Sequence, residues 1–218
     1  MLLPFPNRTE AGRLLAAELK QFQGRSGLIV IALPRGGVPV AFEVASALQA
    51  PLDVLPVRKL GTPGQKELAM GAIAPGGVRV LDTRIIKEFG ISQGTIERIT
   101  AAEKLILDQR ERSYRAGRPP LDLRDRTVIL VDDGVATGAT MHAALKAVKQ
   151  HHPSSVVAAV PVASDIAWEV LAGEADEVAC LATPEPFYSV GLWYENFPQV
   201  SDEEVRRLLA QCTQQKVA

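Results

Sequence analysis

Cysteine is almost missing from this chain of 218 residues. The two present, Cys180 and Cys212, are too few for a disulfide scaffold and form no CxxC pair that would suggest zinc. A reducing, cytoplasmic setting is the expectation. Charge of one sign is missing too: 24 Lys+Arg against 25 Asp+Glu leave a net charge of −1. The basic surplus of a nucleic-acid binder is absent, so no nucleic-acid partner is expected. The longest unbroken apolar run, Leu28 to Leu33, falls far short of the roughly 18 residues a membrane span needs. Met1-Leu2-Leu3-Pro4-Phe5-Pro6 has no basic start and is soon interrupted by Arg8-Thr9-Glu10, unlike a secretion signal. What the chain does have is an ordinary globular composition. Apolar residues make up 47% and charged residues 22%, enough for a sizeable core in a single domain over 1–218.

Thr9 is a candidate cap for a helix whose apolar side is Ala11, Leu15, Leu19 and Phe22. Leu28 to Leu33 reads as a buried strand, followed by the turn Pro34-Arg35-Gly36-Gly37 and a helix from about Pro39 to Gln49. Leu52 to Val57 reads as a second strand. Leu60 to Gly77 is glycine-rich and reads as loop with a short hairpin strand. Ser92 to Arg115 has strong helical spacing, stopped by Gly117-Arg118-Pro119-Pro120. Three more apolar strands follow, at 127–131, 156–162 and 177–181, with helices at about 140–150 and 164–172. A last amphipathic helix covers 201–211, with Asp202, Glu203 and Glu204 suiting its positive end. Trp168 reads as packing between helix and sheet. Short apolar strands alternating with helices predict an α/β fold: a mainly parallel, twisted sheet with helices on both faces.

In such a sheet, ligands gather beyond the carboxyl ends of the strands. There the chain reads Val128-Ile129-Leu130-Val131-Asp132-Asp133-Gly134-Val135-Ala136-Thr137-Gly138-Ala139-Thr140. Two adjacent acids end a buried strand, where a carboxylate is costly unless water, a metal or hydroxyl groups meet it. Small residues and two threonines then lead into a helix, whose N–H groups and partial positive charge suit an anion. No Gly-Lys-Ser/Thr occurs, so this is not a Walker A loop. The same residues also fit a plain acidic turn with a helix cap.

Residues 128–140 resemble the phosphoribosyl-diphosphate (PRPP) signature of type I phosphoribosyltransferases: a hydrophobic strand, two acids, then Thr-Gly-x-Thr. The resemblance implies a core over about 25–163 and a small hood from about 1–24 and 177–218. It implies a Mg2+-dependent transfer of the 5-phosphoribosyl group from PRPP to a nucleobase-like acceptor, with release of pyrophosphate, by a homodimer. Asp132 and Asp133 would be the catalytic acids holding the ribose hydroxyls. Ala136, Thr137, Gly138, Ala139 and Thr140 would wrap the 5-phosphate. Arg35, Gly36, Gly37 and Lys59 would bind pyrophosphate, with Arg58 beside Lys59. Asp132, Asp133 and Glu195 would be the candidates for Mg2+. Because the cation-like sugar would react with water, a lid is expected, at Gly61 to Gly77 or, by resemblance, in Thr83 to Pro120. The latter carries Arg110, Arg112, Arg115 and Arg118, which read as a solvated helix face.

Aromatic residues are only 5% of the chain, yet residues 186–195, Pro-Phe-Tyr-Ser-Val-Gly-Leu-Trp-Tyr-Glu, concentrate them. Aromatic planes stack on nucleobases; a core edge is the other reading. The segment is similar to the base pocket of purine-salvage members, which makes Tyr188 and Val190 the acceptor candidates. Two departures from 6-oxopurine enzymes stand out. Ala136 replaces an acid before Thr-Gly, and strand 156–162 has no lysine, so hypoxanthine and guanine are disfavoured. Two other functions compete with the transferase reading. One is a non-catalytic PRPP or nucleotide sensor on the same fold. The other is a serine hydrolase through Gly90-Ile91-Ser92-Gln93-Gly94, whose charged preceding segment does not suit a nucleophile elbow and whose Ser92 reads as a helix cap.

Overall fold

The computed structural model of the chain describes residues 3–115, 118 and 121–214. Helix α1 (Arg8–Glu18) is capped by Asn7, whose side-chain oxygen accepts from the Glu10 N–H at 2.9 Å. The cap is therefore two residues earlier than Thr9, and Phe22 belongs to a separate 3-10 turn. Strand β1 (Leu28–Ala32), helix α2 (Gly37–Leu48) and strand β2 (Leu52–Val54) follow. β2 stops short of Val57, and Arg58 starts a different strand.

Residues 58–81 hold more order than the loop with a short hairpin strand expected of Leu60 to Gly77. β3 (Arg58–Thr62), β4 (Gln65–Ala74) and β5 (Val78–Leu81) form an antiparallel sheet of their own. Its core is Leu60, Met70 and Ile73, closed by Ile96 and Leu107. These last two belong to α4 (Gln93–Tyr114), which follows the short α3 (Thr83–Glu88). Ser92 caps α4 by accepting from the Thr95 N–H at 3.3 Å. A helix precedes it rather than a strand, so it is no nucleophile elbow. Most of the Gly117–Pro120 stop signal lies outside the described residues.

The chain then returns to the main sheet with β6 (Thr127–Val131), α5 (Ala139–Lys149), β7 (Ser155–Val162), α6 (Asp165–Glu174) and β8 (Glu177–Ala182), and ends in α7 (Asp202–Gln214). The order is β2-β1-β6-β7-β8, every pairing parallel. Alternate residues explain both covered faces. Val30, Ala32, Ile129 and Val131 pack on α1, α2 and α7. Ile29, Ile31, Val128 and Leu130 face the Met141, Leu145 and Leu171 side, under α5 and α6. β8 is an edge strand of this sheet rather than part of a hood. Trp168 is 44% exposed, not a packing residue between helix and sheet. Arg115 and Arg118 are not a solvated face either. Arg115 grips both oxygens of Asp53 at 3.1 and 3.0 Å, and Arg118 donates to the Leu52 and Leu209 carbonyls. Among the described residues, no helix is long and apolar enough to cross a membrane.

The connection leaves β1 toward β2 on one side, while β6 leads to β7 and β8 on the other. A crevice therefore opens between the carboxyl ends of β1 and β6, where an open parallel sheet places its ligand.

Candidate active site

The 34–37 turn and the Asp132–Asp133 pair leave neighbouring strands at this crevice. The Leu33 N–H extends the β1–β6 pairing by donating to the Val131 carbonyl at 2.9 Å, and the Gly37 N–H closes the turn onto Leu33. The turn then lies directly against the acids. A Cβ on Gly36 would stand 2.0 Å from Asp133 Oδ2, and one on Gly37 would stand 2.8 Å from the Val131 carbonyl oxygen. Both glycines are thus required by close approach; the φ of −60° at Gly36 would suit any residue. The sequence reading put these residues in one site, and the structure brings them together.

Asp132 Oδ1 accepts from the Asp133 N–H at 2.9 Å. Asp133 Oδ2 accepts from Arg8 Nε at 2.7 Å. Burial pushes both carboxyl groups above the usual range, and the neighbouring Asp133 charge raises Asp132 further. Arg8 works the other way and draws Asp133 back toward its ionised form. Two carboxyl groups thus share one guanidinium, and burial disfavours carrying charge on both.

Beyond the acids, Val135 pairs with Ala163, and the Ser164 hydroxyl donates to the Ala136 carbonyl, tying the turn to the start of α6. Gly138, at φ +79°, starts α5 in a left-handed conformation that favours glycine and makes no side-chain cap. The first α5 hydrogen bond is His142 N–H to Gly138 carbonyl at 2.8 Å. The amides of 139–141 precede it and have no acceptor within the helix. Thr137 and Thr140 are exposed beside them. An uncapped helix start with two hydroxyls is suited to a phosphate.

The remaining candidates are more scattered. Arg35 turns toward the start of α7, with Nη1 3.7 Å from Asp202 Oδ1, the atom that also accepts from the Tyr114 hydroxyl. Lys59 lines a cavity of about 580 Å³ in the antiparallel lobe with Thr62, Arg98 and the Arg58–Glu103 ion pair. None of these belongs to the acid pair. A second cavity of about 380 Å³ runs between β4, β5 and the 137–139 turn, so the antiparallel lobe borders the phosphate cradle. Both stretches considered as lid border that cavity, the first through Ala69, Gly71 and Ala72 and the second through Thr83 and Arg84, while α4 packs behind the lobe.

Val190 reaches the acid turn: a Cβ on Gly134 would stand 2.5 Å from Val190 Cγ1. Tyr188 is 77% exposed. Glu195 does not join the acids. It is exposed and follows Tyr194, which is extended and directs its hydroxyl to the Asp133 carbonyl, so alternation turns Glu195 away. Among the described residues, no three His, Cys, Asp or Glu side chains cluster as a metal cage. Three residues were not anticipated for the site. Arg8, Tyr194 and Phe197 all converge on Asp133 or on one another, and only Tyr194 sat in a segment already singled out.

The sequence profile described as phosphoribosyl transferase domain matches residues 1–185. The chain belongs to that family. Over 201 residues it is 48% identical to the Mycobacterium tuberculosis proteins MT0597 (strain CDC 1551) and Rv0571c (strain H37Rv), whose names assign them to the phosphoribosyl transferases. Those matches cover 92% of this chain and 45% of each relative, so the chain spans about half the length of the curated relatives it matches. The crystal structure of TT1426 from Thermus thermophilus is 45% identical with a TM-score of 0.82, covering 96% of this chain and 99% of that one. The crevice described above is therefore the candidate active site of a phosphoribosyl transferase domain.

Proposed function

We propose that the protein transfers the 5-phosphoribosyl group of PRPP to a nucleobase-like acceptor and releases pyrophosphate. The observation that carries this reading is the direct contact of two glycines, Gly36 and Gly37, with the acid pair at the mouth of an uncapped helix. One crevice then offers places for pyrophosphate, ribose diol and 5-phosphate in sequence.

In the reaction, the bond from the anomeric carbon to pyrophosphate breaks and its electron pair leaves with the pyrophosphate oxygen. A new bond forms to a nitrogen of the acceptor, whose N–H proton passes to water or to the departing pyrophosphate. Positive charge grows on the ring and negative charge on the leaving group, so catalysis requires groups fixed in advance near both. Asp132 and Asp133 hold the ribose hydroxyls and favour the cationic ring. The 136–140 turn anchors the 5-phosphate through its amides and threonine hydroxyls. Arg35, the Gly36 and Gly37 backbone and Lys59 receive the pyrophosphate, Arg35 swinging away from Asp202 to do so. Val190, against Gly134, and the exposed Tyr188 flank the acceptor.

Mg2+ suits this site as an ion carried in by the substrate. It keeps waters and substrate oxygens and needs only one or two carboxylates. The buried acid pair offers those carboxylates without a protein cage, and a bound cation would favour their ionised form. When bound, the ion would neutralise charge on the pyrophosphate.

The test is pyrophosphate release from PRPP and Mg2+ across a panel of nucleobases, with Asp133→Asn as control. Release with at least one base, abolished by chelator and by the variant, is expected. Tight PRPP binding without turnover on any acceptor would make the protein a sensor instead. No PRPP binding at all would overturn the reading.

A further inference from the structure

Three rings from the two terminal segments pack together, Phe5 tilted against Tyr194 and Tyr194 stacked on Phe197. Phe5 and Tyr194 have centroids 5.5 Å apart, Tyr194 and Phe197 4.9 Å, and the Arg8 guanidinium lies 3.6 Å over the Phe197 ring. Two polar tips emerge from this stack and both end on Asp133. Arg8 Nε donates to its Oδ2, and the Tyr194 hydroxyl donates to its carbonyl. Arg8 is itself held: only 8% exposed, it also donates through Nη1 to the Pro198 carbonyl at 2.7 Å. The Asp133 N–H is taken by Asp132. Gly36 walls in the same Oδ2 that Arg8 grips. The amide, the carbonyl and one carboxylate oxygen of Asp133 are thus fixed, which sets the orientation of its carboxyl group.

We propose that Arg8 is a positioning residue of the sugar site: it pins Asp133 Oδ2 and so fixes the angle at which this carboxyl group meets a ribose hydroxyl, and the Tyr194–Phe197 stack keeps Arg8 in that pose. The proposal rests on the PRPP reading above. A charge-assisted hydrogen bond is directional as well as strong. A guanidinium lies flat on a ring while its fork reaches two acceptors, which an ammonium does not do. If Arg8 only supplied charge, lysine would replace it. If Arg8 sets an angle, lysine fails although the charge is kept.

The experiment measures PRPP affinity with Mg2+, acceptor KM and melting temperature for wild type, Arg8→Lys, Arg8→Ala and Phe197→Leu. Arg8→Lys is expected to weaken PRPP binding about tenfold, the effect of roughly one well-placed hydrogen bond to a charged group, with acceptor KM unchanged. Phe197→Leu keeps every charge and hydrogen-bonding group at the clamp and is expected to lose about threefold, as the stack alone is worth under about 1 kcal/mol. Methylguanidinium added to Arg8→Ala is expected to restore part of the PRPP affinity. Arg8→Ala placed on Asp133→Asn is expected to cost nothing further. Wild-type PRPP affinity in Arg8→Lys overturns the proposal while leaving the transferase reading intact. If Arg8→Lys does not fold, unchanged affinity in Phe197→Leu overturns it equally. Failure of the wild type to bind PRPP removes the functional reading first, and the positioning role with it.

Discussion

Asp133 and Tyr188 belong to the two ends of the same proposed reaction, and the protein treats them in opposite ways. Asp133 is met by Arg8, Tyr194, Asp132 and Gly36, from four separate parts of the chain. Tyr188 is 77% exposed. The proposed sugar side is built out of backbone amides, two glycines and a clamped carboxylate. The proposed acceptor side leaves Tyr188 in water. Fixed dipoles matter where charge develops in the reaction, and that is the sugar and its leaving group. Selecting an acceptor by stacking asks for less.

The sharpest way to break this contrast is Gly36→Val. The added side chain meets Asp133 Oδ2 at a distance no Cβ tolerates, so PRPP affinity should fall about a hundredfold in calorimetry, the equivalent of the upper range of overpacking costs. Asp133→Asn comes next, with about a thirtyfold loss, since one directed contact of about 1–3 kcal/mol goes and Arg8 loses its charged partner. Its melting temperature should fall as well, because a buried guanidinium is left facing a neutral amide. Tyr188→Ala tests the other end. Acceptor KM should rise about tenfold, in line with a lost stacking contact, while PRPP affinity and melting temperature stay put. An equal effect on PRPP would erase the distinction between the two sides. Thr137→Val should weaken PRPP about fivefold by removing one hydroxyl while leaving the amides in place.

The smallest effect lies away from both ends. Burial and the hydrogen bond to Asp202 push the Tyr114 hydroxyl from its usual value near 10 up to about 12. The folded value is the higher, so this contact stabilises fully below pH 10 and fades as pH rises from 10 to about 12. A melting curve against pH should therefore steepen there in the wild type relative to Tyr114→Phe.

The parallel sheet was legible because its strands, β2 with its central Asp53 apart, are short and mainly apolar runs bounded by turn residues or a helix cap. The 128–140 turn was legible because its chemistry is local: acids, small residues and threonines within one strand–turn–helix unit. The antiparallel lobe was not. β4 mixes Ala69, Gly71 and Ala72 with larger residues, and its order comes from α4 and α5 packing against it, contacts its own pattern does not encode. The clamp was hidden for the same reason. Arg8 and Asp133 are 125 positions apart, and a lone arginine in a first helical turn carries no mark of its partner. The choice between Asn7 and Thr9 as cap was open by propensity alone, since both residue types cap well.

The bridge between Phe5 and Tyr194 has a consequence for synthesis. A chain growing from its N-terminus has the signature turn complete once Thr140 has been added, yet Arg8 waits for Phe197 and Pro198 before its ring and its carbonyl exist. On the ribosome, then, Arg8 and the acids are both made long before the residues that hold Arg8, and the clamp on Asp133 closes only when residues 194–198 have emerged and folded back onto the first residues.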